Sequence, residues 1–161
     1  MSHRILITGG QGFLGRAVAK DWLEQGASVL AIGRSGRNDL TYSHTIDWNG
    51  TRVLAPLPKE LAEALDNPRY RYESQDINDQ AGLCRLLIRY RPTCIIHLAG
   101  SLRSSSIDAL CSGNIGGVGS LLQAVTGSDW KPDSIILGSS GGIYGIPQEL
   151  PISEDAPCVP I

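Results

Sequence analysis

A glycine-rich turn near the N-terminus constrains the fold more than any other feature of the sequence. The run Thr8-Gly9-Gly10-Gln11-Gly12-Phe13-Leu14-Gly15 follows an apolar β-like segment, residues 4–8, and opens a helical segment. A phosphate-binding turn needs glycines to bend tightly, to leave the backbone unobstructed by Cβ atoms and to expose helix N–H groups to the anion. Gly9, Gly12 and Gly15 can supply these in turn. The run therefore predicts a dinucleotide site, with a tight strand-to-helix turn without a ligand as the plainer interpretation.

The apolar pattern alternates short β-like runs with longer helical stretches, which is typical of a parallel α/β sheet covered on both faces. The predicted strands are residues 4–8, 28–33, 69–74, 93–98 and 134–138. The predicted helices are residues 13–25, 79–90 with Asn78 as N-cap, and a glycine-rich one from near Ile107 to Val125. The long crossover after Arg34 predicts a hairpin over 45–53, turning at Asn49-Gly50, then a helix over 59–65, or an irregular loop in their place.

Composition excludes several classes of protein. At 161 residues the chain is one domain long, and 42% apolar residues suffice for a core. The net charge is −2 and the basic residues are scattered, so neither nucleic acid nor a membrane surface is an expected partner. Four cysteines and three histidines lie far apart, which disfavours a metal site. The opening MSHRILITGG lacks the regions of a signal peptide, so a cytoplasmic location with reduced thiols is expected.

Five motifs, in order along the chain, resemble those of the extended short-chain dehydrogenase/reductases, a family of nucleotide-sugar epimerases, dehydratases and reductases. They are TGGQGFLG (8–15), Asp76-Ile77, His97-Leu98-Ala99-Gly100, NIGGVGSLLQA (114–124) and SSGGIYG (139–145). Val118 stands where the family usually has Thr. The resemblance implies a doubly wound Rossmann-type α/β fold with five parallel strands in the order 3-2-1-4-5 and helices on both faces.

The same resemblance assigns cofactor contacts. The cofactor-binding residues it implies are Gly9, Gly12, Phe13, Leu14, Gly15, Asp76, Ile77, Leu98, Ala99, Gly100, Asn114 and Ser139. Plainer interpretations stay open for three residues: Asp76 as a turn cap, His97 as a core histidine without a chemical role, and Asn114 as a solvent-facing side chain.

The end of the second strand, Ile32-Gly33-Arg34-Ser35-Gly36-Arg37, bears on the choice of cofactor. Enzymes that use NAD place a carboxylate on the ribose 2′-hydroxyl there, whereas NADP enzymes remove it and add Arg. No carboxylate is present, Gly33 leaves room for a phosphate, and Arg34 or Arg37 can bind it. NADP(H) is therefore favoured over NAD(H), with an arginine merely solvated in a loop as the alternative.

Catalysis in the resembling family uses a Ser or Thr and a Tyr-x-x-x-Lys pair. Ser140 occupies the Ser/Thr position, but none of the five tyrosines is followed by Lys four residues later. Residues 151–157, PISEDAP, resemble the loop that precedes the family's catalytic Tyr. We therefore expect a dinucleotide-binding domain over 1–146 and a Pro-rich loop over 147–161 that leads to a C-terminal half absent from this sequence.

The expected parent is an enzyme that acts by hydride transfer at a carbon of a nucleotide sugar, and this chain alone is expected to be inactive. Substrate contacts within it would come from Ser101, Leu102, Arg103, Ser140 and Tyr144. The resemblance leaves a homodimer of the longer parent open. The alternative is a non-catalytic NADP(H)-binding sensor or scaffold module; an FAD-binding domain would leave the HLAG and SSGGIYG motifs unexplained.

Overall fold

Seven strands form two separate sheets in the computed structural model, which describes residues 3–102 and 105–160. The strands are β1 (Arg4–Thr8), β2 (Ser28–Gly33), β3 (Thr41–Trp48), β4 (Thr51–Pro56), β5 (Tyr70–Ser74), β6 (Cys94–His97) and β7 (Ser134–Leu137). The central sheet is parallel in the order β5-β2-β1-β6-β7. Counted without the hairpin strands, this is the predicted order 3-2-1-4-5, and the doubly wound α/β fold is confirmed.

The helices cover both faces of this sheet. They are α1 (Phe13–Glu24), α2 (Lys59–Leu65), α3 (Gln80–Tyr90), α4 (Ile107–Leu110) and α5 (Gly117–Gly127). A π-helical turn, Cys111–Gly116, joins α4 to α5, and a short 3-10 helix covers Gly141–Tyr144. The single long helix predicted from near Ile107 is therefore three consecutive segments. No helix among the described residues is long and apolar enough to cross a membrane.

The predicted N-cap of α3 is wrong by one residue. Asp79 is the cap, and its carboxylate accepts a hydrogen bond from the Gly82 N–H at 2.9 Å. A capping oxygen must reach an N–H two or three residues ahead. The Asn78 amide instead donates to the Ser112 hydroxyl and so joins this loop to the π-helical turn.

The hairpin predicted in the long crossover is present as β3 and β4, and the helix predicted behind it is α2. Asn49 and Gly50 have φ of 50° and 76°, the left-handed values that a two-residue I′ turn requires at both positions. The hairpin is longer than predicted, since β3 already begins at Thr41. The pairing register is irregular between Thr41 and Thr45, so the alternation of side chains that would indicate a strand is interrupted there. Its Tyr42 and Ala55 side chains are buried against the α1 side of the central sheet.

Alternate residues of the parallel strands supply two cores. Ile5, Ile7 and Ala31 face the side that holds α1, where they pack with Ala19 and Leu23. Their neighbours face α3 and α5; the buried members of this second cluster include Leu6, Leu30, Ile32, Ile95, Leu83, Leu87 and Leu121. This two-fold alternation explains why β1, β2 and β6 are apolar almost throughout.

The two edges of the central sheet differ in character. At the β5 edge, Glu73 forms an ion pair with Arg89 of α3. At the β7 edge, Ile136 and Leu137 remain 51% and 45% exposed, and β7 pairs only with β6 in the part of the chain that the structure describes. From residue 145 to residue 160 the chain contains neither helix nor strand.

Candidate functional site

The glycines of the first turn have different structural duties. Gly9 has φ of 71°, and a Cβ atom there would lie 2.8 Å from the backbone nitrogen of Ala99. A Cβ on Gly15 would overlap the carbonyl oxygen of Gly9. Gly12 has an ordinary extended conformation, and its Cβ would meet a single atom, the Gly9 oxygen at 3.1 Å. The fold itself therefore requires Gly9 and Gly15, whereas the space around Gly12 is largely open.

Unpaired backbone donors lie beside Gly12, at the start of α1. The N–H groups of Phe13, Leu14 and Gly15 have no acceptor among the described residues. The helix has neither a capping side chain nor an acidic residue in its first turn. The Phe13 and Leu14 side chains are 62% and 59% exposed. Such a helix end presents partial positive charge and hydrogen-bond donors to an anion.

The Thr8 hydroxyl joins the carboxyl ends of β1 and β6. Its oxygen accepts hydrogen bonds from the N–H groups of Leu98 and Ala99, at 3.2 and 3.1 Å. It also lies 2.7 Å from Nδ1 of His97. Because both oxygen lone pairs are used, the hydroxyl proton is left to be donated to Nδ1. This arrangement favours the tautomer with the imidazole proton on Nε2. The network fixes the 98–100 loop beside the glycine turn.

His97 is a buried histidine that also positions the site. No described residue accepts a hydrogen bond from its Nε2, so the ring is only half satisfied. Burial lowers its pKa, because the charged form cannot be solvated there. The interpretation as a core histidine agrees with its burial, and the contact with Thr8 adds a role that the sequence does not reveal.

The unfolding free energy should depend on pH through His97. Above its ordinary pKa of 6.5 the residue is neutral in both the folded and unfolded chain. As the pH falls below that value, the unfolded chain takes up a proton that the folded chain does not. The free energy of unfolding therefore decreases between the unfolded pKa and the lower folded pKa, by at most about 1.4 kcal/mol per pH unit. His97→Asn keeps an acceptor toward Thr8 and does not titrate. Urea unfolding at about pH 7.5 and about pH 5.5 should show a smaller difference for the variant, and parallel profiles would contradict this assignment.

The loop after β2 has its carbonyl groups fixed and its N–H groups free. The carbonyl oxygens of Gly33, Arg34 and Ser35 accept from the Gln75 N–H, the Ser74 hydroxyl and the Tyr72 hydroxyl, at 2.9, 2.9 and 2.8 Å. The N–H groups of residues 34–37 have no acceptor among the described residues. This loop is therefore rigidly held while its backbone donors stay available to a ligand.

The two arginines proposed for a phosphate differ in this loop. Arg34 is exposed and forms no ion pair or side-chain hydrogen bond with a described residue. Arg37 donates to the Asp39 carboxylate at 2.7 Å, and its guanidinium lies 5.6 Å from the centre of the Tyr70 ring. Arg34 is therefore the better candidate. The prediction that Gly33 leaves room for a phosphate is wrong. The Tyr72 hydroxyl already fills that space, because a Cβ on Gly33 would lie 2.7 Å from it.

Asp76 both caps a turn and keeps an oxygen free. Its Oδ1 accepts from the Asn78 N–H at 2.9 Å, as the plainer interpretation predicted. Its Oδ2 has no hydrogen-bond partner among the described residues. Ile77 is buried in the core next to Gly117, so its side chain supports the loop from below. One carboxylate oxygen of Asp76 is therefore available to a ligand.

Asn114 braces the loop that follows β6. Its Oδ1 accepts from the Ser101 N–H at 2.7 Å, and its Nδ2 donates to the Ser101 carbonyl oxygen at 3.2 Å. A Cβ on Gly100 would lie 2.8 Å from Asn114 Oδ1, so this approach needs glycine. Asn114 is exposed, as the plainer interpretation predicted, and it also braces the backbone of the loop through these two hydrogen bonds. The residue belongs to the π-helical turn, a feature that often marks functional sites.

Ser140 stands at the carboxyl end of the sheet, next to the loop after β6. The Gly138 N–H donates to the His97 carbonyl oxygen at 2.9 Å and holds the exit of β7 against that of β6. Ser140 Oγ is exposed and accepts from the Gly142 N–H at 3.2 Å, which leaves its proton free to be donated. The adjacent Ser139 is exposed and Tyr144 is half-buried. Leu102, in the loop after β6, is exposed, and Arg103 lies outside the described residues.

Sequence reasoning missed two buried polar residues, Gln11 and Arg16. Both contact the loop that follows β2. The available signal was periodicity: Arg16 stands three and seven residues before Ala19 and Leu23, on the buried stripe of α1.

A sequence profile of the GDP-mannose 4,6 dehydratase family matches residues 6–161. The chain belongs to that family. This family member is similar to a solved structure, UDP-glucose 4-epimerase from Brucella ovis in complex with NAD. The TM-score is 0.72 and the sequence identity is 26%. The match covers 99% of this chain and 42% of the epimerase chain. The predicted resemblance to epimerases and dehydratases of the short-chain dehydrogenase/reductase family is confirmed.

Curated relatives of this dehydratase-family chain are also dehydratases and epimerases of nucleotide sugars. The dTDP-glucose 4,6-dehydratase of Neisseria meningitidis serogroup B is 32% identical over 121 residues, which cover 75% of this chain and 28% of the relative. The UDP-glucose 4-epimerase of Bos taurus is 28% identical over 163 residues, which cover 98% of this chain and 43% of the relative. The chain thus spans less than half the length of either relative.

Proposed function

We propose that this chain is the nicotinamide-dinucleotide-binding half of a nucleotide-sugar epimerase, dehydratase or reductase that acts by hydride transfer at a sugar carbon. The observation that carries the proposal is the free N–H set at residues 13–15 beside the open face of Gly12. Related proteins are a dehydratase of dTDP-glucose and epimerases of UDP-glucose, one of them in complex with NAD. These names support the cofactor class and a nucleotide-sugar substrate.

The described residues fit such a cofactor along its length. The amides of 13–15 would hold the pyrophosphate, and the free oxygen of Asp76 would accept from the adenine amino group. Leu98, Ala99 and Gly100, held by Thr8 and braced next to Asn114, would form the floor at the nicotinamide end. The bound nicotinamide supplies hydride transfer, and the chain's own residues bind and orient it.

Ser140 is the catalytic residue that this half would contribute. Its hydroxyl already accepts a hydrogen bond from the Gly142 N–H, so its proton is available to a substrate carbonyl or alcohol oxygen. Tyr144, Ser101 and Leu102 would surround that oxygen. No Tyr-x-x-x-Lys pair is present in the sequence, so proton exchange is assigned to a following half, reached through the loop 147–161. We place the enzyme in the cytoplasm, where its four free thiols would stay reduced.

NADP(H) is proposed as the preferred cofactor. The unpaired N–H groups of 34–37 and the free Arg34 guanidinium offer several donors to a ribose 2′-phosphate, and no carboxylate in residues 32–37 competes with it. A ribose hydroxyl would gain much less from the same positive groups.

Calorimetric titration should show tighter binding of NADPH than of NADH. Arg34→Gln should raise the Kd of NADPH by about tenfold or more, since hydrogen bonds to charged groups contribute about 1.5–3 kcal/mol. The Kd of NADH should stay within about twofold. Arg37→Gln removes the same charge from the same loop and is the matched control, with a smaller effect because Arg37 is engaged by Asp39. Tighter binding of NADH by the unmodified chain would overturn the cofactor preference.

A further inference from the structure

Two buried polar side chains lie between the glycine turn and the loop that follows β2. Arg16, in the first turn of α1, is 1% exposed, and Gln11, within the glycine turn, is 6% exposed. Neither belongs to the catalytic or cofactor-contacting residues considered above.

Both side chains bind the backbone of one segment, residues 36–41. The Gln11 amide donates to the Gly36 carbonyl oxygen at 2.9 Å and accepts from the Asn38 N–H at 2.6 Å. The Arg16 guanidinium donates to the carbonyl oxygens of Asn38 and, at 3.0 Å, Thr41. The segment is therefore attached to the start of α1 through side chains at both of its ends and at its middle.

The chemistry of this attachment is unusual for an arginine. No carboxylate among the described residues lies within ion-pair distance of Arg16, and its acceptors are neutral oxygens. Burial lowers its pKa. A buried charge is costly unless its hydrogen bonds are made. Arg16 Nη2 donates to Gln11 Oε1 and to segment 36–41, whereas the buried Nε has no partner among the described residues. The charge is therefore only partly compensated, and its burial depends on the conformation of segment 36–41.

We infer that Arg16, assisted by Gln11, is a positioning residue that sets the preference for NADP(H) over NAD(H) without contacting the cofactor. By fixing Gly36, Asn38 and Thr41 it holds the backbone that presents Arg34 and the free N–H groups of 34–37. The N–H groups of 13–15 form no hydrogen bond with the described residues of this segment. This inference rests on the proposed function of the loop in selecting the cofactor.

Arg16→Met tests the inference, because methionine fills the buried space and removes the donors. The Kd of NADPH should rise about tenfold while the Kd of NADH changes by less than about twofold. Arg16→Lys, which keeps a charged donor, should restore part of the difference. Lys20→Met is the matched control: it removes one positive charge from the same helix, but Lys20 pairs with Glu24 at 2.7 Å and does not touch the loop. An equal rise in both Kd values would overturn the inference.

Amide hydrogen exchange separates failure of this inference from failure of the proposed cofactor. In Arg16→Met, the amides of Asn38, Leu40 and Thr41, which are paired with Gln11 and Asn38 side chains, should exchange faster, while those of β1 and β2 keep their protection. If the unmodified chain does not prefer NADPH, the proposed cofactor fails, and this exchange still reports whether Arg16 positions the loop. Unchanged exchange overturns the positioning role. If Arg16→Met loses protection throughout, Gln11→Met, which removes the bonds to Gly36 and Asn38, takes its place with the same expected shift in the Kd ratio.

Discussion

Gly12→Val is expected to abolish dinucleotide binding and to leave the fold intact. The backbone of Gly12 has φ of −74° and ψ of 171°, which valine adopts without strain. Its Cβ would have one close neighbour, the Gly9 oxygen, and the rest of the side chain would occupy the space in front of the free N–H groups of 13–15. Loss of two such hydrogen bonds to a charged group, at about 1.5–3 kcal/mol each, corresponds to a rise in Kd of more than about 100-fold.

A second glycine of the same turn gives the contrasting result. Gly15→Ala should destabilise the fold, because its Cβ would overlap the Gly9 carbonyl oxygen and approach Gly10 Cα to 2.9 Å. Circular dichroism and urea unfolding should find Gly12→Val folded and Gly15→Ala strongly destabilised, while calorimetry measures the Kd of NADPH and NADH. If Gly12→Val unfolds as well, the glycine serves the backbone, and its assignment to cofactor binding fails.

The 161-residue chain is expected to show no turnover on a nucleotide sugar, even with NADPH or NADP bound. Ser140 can polarise a substrate oxygen, but no Tyr-x-x-x-Lys pair is available to exchange the proton, and general acid–base catalysis typically contributes about 10²–10⁴-fold. Positioning of the sugar would also be lost, and that contribution can be larger still. The test is absorbance of the nicotinamide and chromatography of UDP-glucose, dTDP-glucose and GDP-mannose after incubation.

The matching experiment extends the chain along its coding sequence through a Tyr-x-x-x-Lys segment. The extended protein should turn over one of these sugars, and Ser140→Ala in it should lower kcat far more than it raises the Kd of NADPH. Ser106→Ala is a control, because the Ser106 hydroxyl is exposed and caps the short helix α4. Turnover by the unextended chain, or an indifferent Ser140→Ala, would place the chemistry elsewhere. Cofactor binding by an extended protein that lacks the pair would favour a sensor or scaffold.

Features whose causes are local could be predicted from the sequence. Most of the five parallel strands followed from short apolar runs, and α1 ends within one residue of its predicted end, before Gly26, whose φ is 86°. Asn49-Gly50 sufficed for the hairpin, because the turn type depends on those two residues alone. The glycine turn could also be predicted, because its strand, its glycines and its helix follow one another directly in the sequence.

Features that depend on distant partners could not be predicted. Arg34 and Arg37 look alike in sequence, and only the placement of Asp39 and the Tyr70 ring engages one of them. The space next to Gly33 is filled by Tyr72 of the neighbouring strand, so a larger residue would clash there. The periodicity of α1 indicates that Arg16 is buried, but its acceptors lie more than twenty positions later in the chain and could not be identified from the sequence. The contact between Asn114 and Ser101 likewise needs the π-helical turn, for which the sequence has no clear signal.

The two edges of the central sheet differ in their tendency to pair with a strand of another molecule. At β5, the charged side chains of Arg71 and Glu73 and the ion pair with Arg89 discourage pairing with another strand. At β7, the apolar and half-exposed Ile136 and Leu137 accompany an edge that β6 leaves unpaired. An edge of that kind is a template for strand addition, so association through β7 should increase with concentration. A strand that covered β7 would therefore protect the protein from aggregation as well as extend its sheet.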